Sequence, residues 1–140
     1  MRKAWLPVVL SVVVIVAAAC SNNGQGPSNI PVEWVNAEVQ RDESKMLQLL
    51  DEKTIALEPE DKANNDLVIE TYKLTEWKAN DNRYFYEVTY EHPEEDRMVT
   101  ERMEVINTDN GWKRTSYSDL RNFEVLTGDL EPEVLKELHE

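Results

Sequence analysis

The chain has 140 residues, with 15 Lys and Arg against 28 Asp and Glu and a net charge of −13. That length holds one domain of about 110 residues plus appendages, and such a domain buries about two-thirds of its unfolded surface without help from metals or cross-links. So acidic a chain repels phosphate backbones, which excludes nucleic-acid binding, and a single cysteine, Cys20, excludes an intramolecular disulfide.

Met1-Arg2-Lys3 is a short basic start, and Leu6 to Ala19 is almost wholly apolar, closing on Ala17-Ala18-Ala19 before Cys20. Fourteen helical residues rise about 21 Å, short of the ~30 Å hydrocarbon core. The segment therefore predicts a cleaved signal peptide over residues 1–19. Arg2 and Lys3 lie in that leader, so its removal takes the charge from −13 to −15. Acidity on that scale keeps an exported domain soluble or suits a cationic partner. Ser21 to Pro31 is polar and rich in Gly, Asn and Ser, so residues 20–31 form a flexible tether. Its length places the domain about 17–20 Å from residue 20.

Residues 32–140 read as one domain. Val35, Val39, Met46 and Leu50, widened by Leu47, recur at helical spacing and predict a single helix over 32–51, with Glu38 on its polar side. Lys53 to Asp66 is a loop in which Ile55 and Leu57 form a short strand or turn. Four strands follow: Leu67–Ala79, Arg83–His92, Arg97–Asn107 and Trp112–Asp119. The second is the clearest, with Tyr84, Tyr86, Val88 and Tyr90 alternating with Phe85, Glu87, Thr89 and Glu91. Asn80-Asp81-Asn82 and Asp109-Asn110-Gly111 supply hairpin turns that tolerate positive φ, and Pro93 marks a polar turn between them. Phe123, Val125 and Leu126 predict a short packing segment, and Glu131-Pro132 opens a C-terminal helix through Leu135 and Leu138. The fold class is α+β: an N-terminal helix on a curved four-stranded antiparallel meander, then a short C-terminal helix. Trp112 is expected to be largely buried where the fourth strand meets the core.

Two resemblances stand on particular residues. The run Ala18-Ala19-Cys20 after an apolar core resembles the lipobox of small bacterial lipoproteins. It implies that the Cys20 thiol receives a diacylglyceryl group, that a peptidase cuts before it, and that acyl chains (palmitate among them) hold the mature protein on a membrane outside the cytoplasm. The strand and hairpin Met103-Glu104-Val105-Ile106-Asn107-Thr108-Asp109-Asn110-Gly111-Trp112-Lys113 resemble the closing strands of NTF2-like, more broadly cystatin-like, α+β rolls. The helix end Met46-Leu47-Gln48-Leu49-Leu50-Asp51 fits the opening helix of that family. The likeness covers about residues 33–120 and implies a sheet folded around a helix over a conical pocket. Arg114 stands where the family usually has an aliphatic residue.

Few residues suggest chemistry. His92 and His139 are the only histidines, too few for a transition-metal site with Cys20 modified. The acidic runs at Glu58–Asp61 and Glu94–Asp96 lack EF-hand spacing. There is no free thiol, no nucleophile elbow and no Gly-rich phosphate loop. We therefore expect no catalytic constellation, no metal and no cofactor. One constellation remains. If the Tyr86 parity faces the helix, Tyr72, Glu101 and Arg114 face it too, placing two phenols, a carboxylate and a guanidinium among apolar neighbours. They either orient a ligand or, for Glu101 and Arg114, form a structural ion pair. Trp34, Trp77 and Trp112 read as core or rim packing. The expected function is a non-catalytic binding or accessory domain of the cell envelope, membrane-bound through its lipid and contacting a protein or small ligand. The alternatives are an isomerase- or hydratase-type pocket enzyme using Glu101, and a structural or inhibitory accessory of an envelope complex.

Overall fold

In the computed structural model, which describes residues 26–139, the apolar run that predicts one helix folds as two. Helix α1 spans Asn29–Gln40, opening three residues inside the stretch expected as tether because Ile30 and Pro31 are buried, and α2 spans Glu43–Leu49. Between them Arg41 takes a left-handed φ of 56°. The Arg41 N–H bonds to the Glu38 carbonyl (3.0 Å) and the Asp42 N–H to the Ala37 carbonyl (2.8 Å), the two bonds that close a Schellman end. Asp42 then restarts the chain, its Oδ1 accepting from the Lys45 N–H at 2.9 Å. Val35, Val39, Met46 and Leu50 are all buried nonetheless, so the apolar stripe survives the break.

Four antiparallel strands follow: β1 (Tyr72–Asn80), β2 (Arg83–Glu91), β3 (Met98–Thr108) and β4 (Gly111–Arg114). The hairpin residues act as their chemistry dictates. Asn80 Oδ1 accepts from the Asn82 N–H at 2.8 Å, and Gly111 takes a φ of 96° that few other residues adopt. The first strand starts five residues later than alternation predicts. Residues 67–71 bond to α1 instead, with the Ile69 N–H donating to Asn36 Oδ1 (2.8 Å) and Gln40 Nε2 donating to the Leu67 carbonyl (2.8 Å). Ile55 is fully exposed and Leu57 buried, with no strand around them.

The predicted C-terminal helix is a correction. Pro132–Lys136 forms a fifth strand, β5, antiparallel to β1, and the sheet order is β4-β3-β2-β1-β5. Two apolar residues, Val134 and Leu135, are too few for a helical stripe, whereas pairing satisfies backbone groups along β1 that would otherwise form an open edge. The domain is thus α+β with an open five-stranded sheet, not a four-stranded one.

Register decides which side chains meet. Val88 pairs with Glu101, Tyr86 with Met103 and Val105 with Arg114. Leu74, Tyr86, Val88, Tyr90, Met103 and Val105 therefore pack with Trp34, Val35, Met46 and Leu49 in one core. The opposite face is covered by α3 (Phe123–Thr127). Phe123 is buried and meets Trp77 edge-on at 5.1 Å and Phe85 at 6.3 Å. Arg102 fastens this helix by bonding Glu87 (2.8 Å) on the sheet and Glu124 (3.0 Å) on α3. Leu126 is half-buried and Val125 exposed, so only part of the predicted packing segment packs. Trp112 is half-buried rather than largely buried, meeting Tyr84 edge-on at 5.5 Å. The reason is that β4 is a four-residue edge strand.

Candidate functional site

Cys20 and the leader lie outside the described residues. The other four predicted site residues share the helix-covered sheet face, as alternation requires, but they do not converge. Tyr72 is half-buried under Lys136, whose Nζ sits 4.3 Å from its ring centre. Tyr86 is fully buried and donates its hydroxyl to Glu76 Oε2 at 2.5 Å, across the β1–β2 pair. Burial, then this carboxylate, holds the Tyr86 phenol well above its ordinary range.

Glu101 and Arg114 lie closer to one another, yet the expected ion pair between them is not made. Arg114 is 1% exposed. Its Nε donates to the Ser116 carbonyl (2.6 Å), and its Nη2 to the Tyr117 carbonyl (3.1 Å) and Asp119 Oδ1 (2.9 Å). The guanidinium lies 4.3 Å from the ring centre of Trp34, and Trp34 meets Tyr117 at 6.2 Å. The residues expected to continue the fourth strand instead fold back over Arg114, so its counter-ion is Asp119. Loop carbonyls, a carboxylate and an indole face serve Nε and Nη2 of this planar cation, while its Nη1 is buried without a hydrogen-bond partner.

Glu101 is left with other company. Its Oε2 is buried without a hydrogen-bond partner. Burial above all pushes its carboxyl up to about 9, and the Glu38 carboxyl adds to this, with Arg114 opposing and Asp119 reinforcing. Tyr90, one strand over, is itself held above its ordinary range by burial and then by Glu101 and Glu38. Burial of this kind favours the neutral carboxyl over the carboxylate. Glu38 is half-buried rather than on the helix's polar side. Its position four residues after Trp34 puts both on one helix face, and that spacing is the signal that finds it. Asp119 gave no such signal, since its role depends on how a loop folds.

Two open clefts mark the surface. One, of about 660 Å³, runs between the two N-terminal helices and residues 57–64, bordered by Glu38, Arg41, Met46, Leu57, Asp61 and Tyr117. The other, of about 500 Å³, lies between residues 66–71 and 91–96, with Leu67, Glu70, Glu91, His92 and Asp96 in its wall. Neither is lined by Tyr72, Tyr86, Glu101 or Arg114. Among the described residues, no cluster of three or more His, Cys, Asp or Glu is placed to hold a metal ion, and no helix is long and apolar enough to cross a membrane. Compared with known protein families, curated proteins and solved structures, the chain matches none.

Proposed function

We propose that the protein is a lipid-anchored accessory domain of a bacterial cell envelope, facing outside the cytoplasm, that binds a protein or small ligand without transforming it. The observation that carries this reading is the placement of the chain's one cysteine directly after a fourteen-residue apolar leader ending in three alanines. One acyl chain gives only reversible membrane binding, whereas a diacylglyceryl thioether with a further acyl group gives lasting attachment. Helix α1 begins at Asn29, nine residues after Cys20, so the larger cleft opens on elements close in sequence to the anchor. Its apolar floor of Met46 and Leu57 is rimmed by more acids than bases, which favours a partner carrying amine or guanidinium groups.

An NTF2-like roll is the finer fold we propose. Helices layered over one face of an antiparallel meander and the Asp109-Asn110-Gly111 hairpin support it. One observation favours the alternative of a pocket enzyme: Glu101 is a carboxyl whose Oε2 is buried without a hydrogen-bond partner, and burial pushes its pKa up. Its position beneath α1, away from either cleft, weighs toward binding. The test is photo-crosslinking in native membranes from two positions, Glu60 on the cleft rim and the exposed Val125 on α3. A cleft-bound partner gives a discrete adduct from position 60 and none from 125. Identical adducts from both, or adducts only from 125, would refute recognition through the cleft.

A further inference from the structure

The loop that follows β4 is short and irregular, yet it is tied down along its length. The Thr115 N–H bonds to the Glu104 carbonyl (3.0 Å) and the Leu120 N–H to the Arg102 carbonyl (3.3 Å), so both ends are fastened to β3. Between them Arg114 holds the Ser116 and Tyr117 carbonyls and Asp119 Oδ1. The Tyr117 ring also meets the fully buried Trp34 edge-on, at 6.2 Å. Despite these restraints Tyr117 is 41% exposed, and it lines the larger cleft. A large aromatic fixed this way has given up its freedom before any partner arrives, which lowers the cost of binding. Tyrosine suits the task, because it has few torsions to freeze and a broad ring with electron-rich faces.

We propose, given that the larger cleft is the binding surface, that Tyr117 is its recognition residue: the ring receives the guanidinium of an arginine carried by a protein partner, and carboxylates of the same wall supply the countercharge. Four carboxylates line the cleft against two cations, Arg41 and Lys62. Among the described residues Glu60 and Asp61 make no salt bridge, so their charge is uncommitted. The chain's net charge of −13 draws a cationic partner from further away. Met46 and Leu57 are buried in the cleft floor, where they can take the methylenes of an arginine stem. A guanidinium fits better than an ammonium, being planar and weakly hydrated, able to stack on a ring while its edge donates to oxygen. Arg114 already does this on the buried side, lying 4.3 Å from the Trp34 ring centre with its N–H groups on carbonyls and a carboxylate.

The test titrates the full chain in detergent with acetyl-Ala-Arg-Ala-amide, and with the same peptide carrying citrulline, the neutral isostere of arginine. Aromatic and methyl NMR shifts report where each peptide sits. The arginine peptide should move the Tyr117 ring and the Met46 and Leu57 methyls, and bind about tenfold more tightly than its citrulline counterpart. Tyr117→Phe should keep that preference, whereas Tyr117→Leu, which lacks the ring, should cut it to about twofold. The two peptides on the wild-type chain decide the matter by themselves if Tyr117→Leu fails to fold. Equal affinity for both peptides, a Tyr117 ring unmoved by the arginine peptide, or a preference unchanged in Tyr117→Leu overturns the assignment. The crosslink from position 60 tests the cleft separately: an adduct there alongside any of these results removes Tyr117 and leaves the cleft, while loss of the adduct removes both.

Discussion

The guanidinium of Arg114 lies 4.3 Å over the Trp34 ring centre while three of its hydrogen bonds go to the Ser116–Asp119 loop. An arginine at the end of an edge strand thus joins α1, β4 and the following loop. The loop's hold on the core runs through this cation and through Tyr117, which meets the same Trp34 ring at 6.2 Å.

Asp119 is about half-exposed, at 45%, whereas Arg114 is buried, so the two ends of their ion pair should respond unequally. Asp119→Ala leaves water access near the pair and should cost about 1–2 kcal/mol. Arg114→Met strands buried carbonyls as well and should cost about 3 kcal/mol or more. A double-mutant cycle by chemical denaturation should show coupling for Arg114 with Asp119 and much weaker coupling for Arg114 with Glu101. The reverse ranking would mean that Glu101 is the true counter-ion.

How far the sequence speaks here depends on the distance over which each signal acts. Alternation in β2 and β3 is local, and it correctly turns Tyr86, Val88, Glu101, Met103 and Val105 to one face. Hairpin chemistry at Asn110-Gly111 is equally local. The break between α1 and α2 was hidden because Arg41, not Gly or Pro, takes the left-handed position. β5 was hidden because its partner, β1, lies more than fifty residues away, and a five-residue strand with two apolar side chains has no periodicity to read. Trp34 and Arg114 are 80 residues apart in the chain, so their contact exists only once a helix has been laid across the sheet.

Glu101 makes stability depend on pH in a direction that can be worked out. Its carboxyl is raised from the ordinary 4.5 to about 9 on folding, so between those values the folded chain holds a proton the unfolded chain has lost. Its contribution is fully present below about pH 4.5, declines as pH rises and is gone above about 9. Denaturation midpoints of wild type minus Glu101→Gln, measured from pH 5 to 9, should therefore fall steadily. A flat or rising difference would show that Glu101 is ionised at neutral pH in the native state.

Phe123 is the side chain through which α3 covers the second sheet face. Phe123→Ala should cost about 3–5 kcal/mol and release Trp77, whose fluorescence reports the change. An unchanged midpoint would mean that α3 adds nothing to the fold.

Net charge gives a further expectation. The full chain stands at −13, and at −15 if the proposed leader is removed, and salt shortens the Debye length to about 10 Å at 0.1 M. Screening should relieve self-repulsion, so the Tm should rise as NaCl goes from about 0.01 to 0.5 M. A falling Tm would show that attractive pairs such as Arg102 with Glu87 and Glu124 outweigh it.

The most direct measurement for the account as a whole is the intact mass of the protein recovered from bacterial membranes, beside that of Cys20→Ala. The mature wild-type chain should begin at Cys20 and carry a diacylglyceryl group on its sulfur, with fatty acid released on hydrolysis. Cys20→Ala should persist as the unlipidated precursor with residues 1–19 attached. A wild-type chain that keeps its leader, or is cut elsewhere and bears no acyl chain, would contradict the envelope anchor and the function built on it.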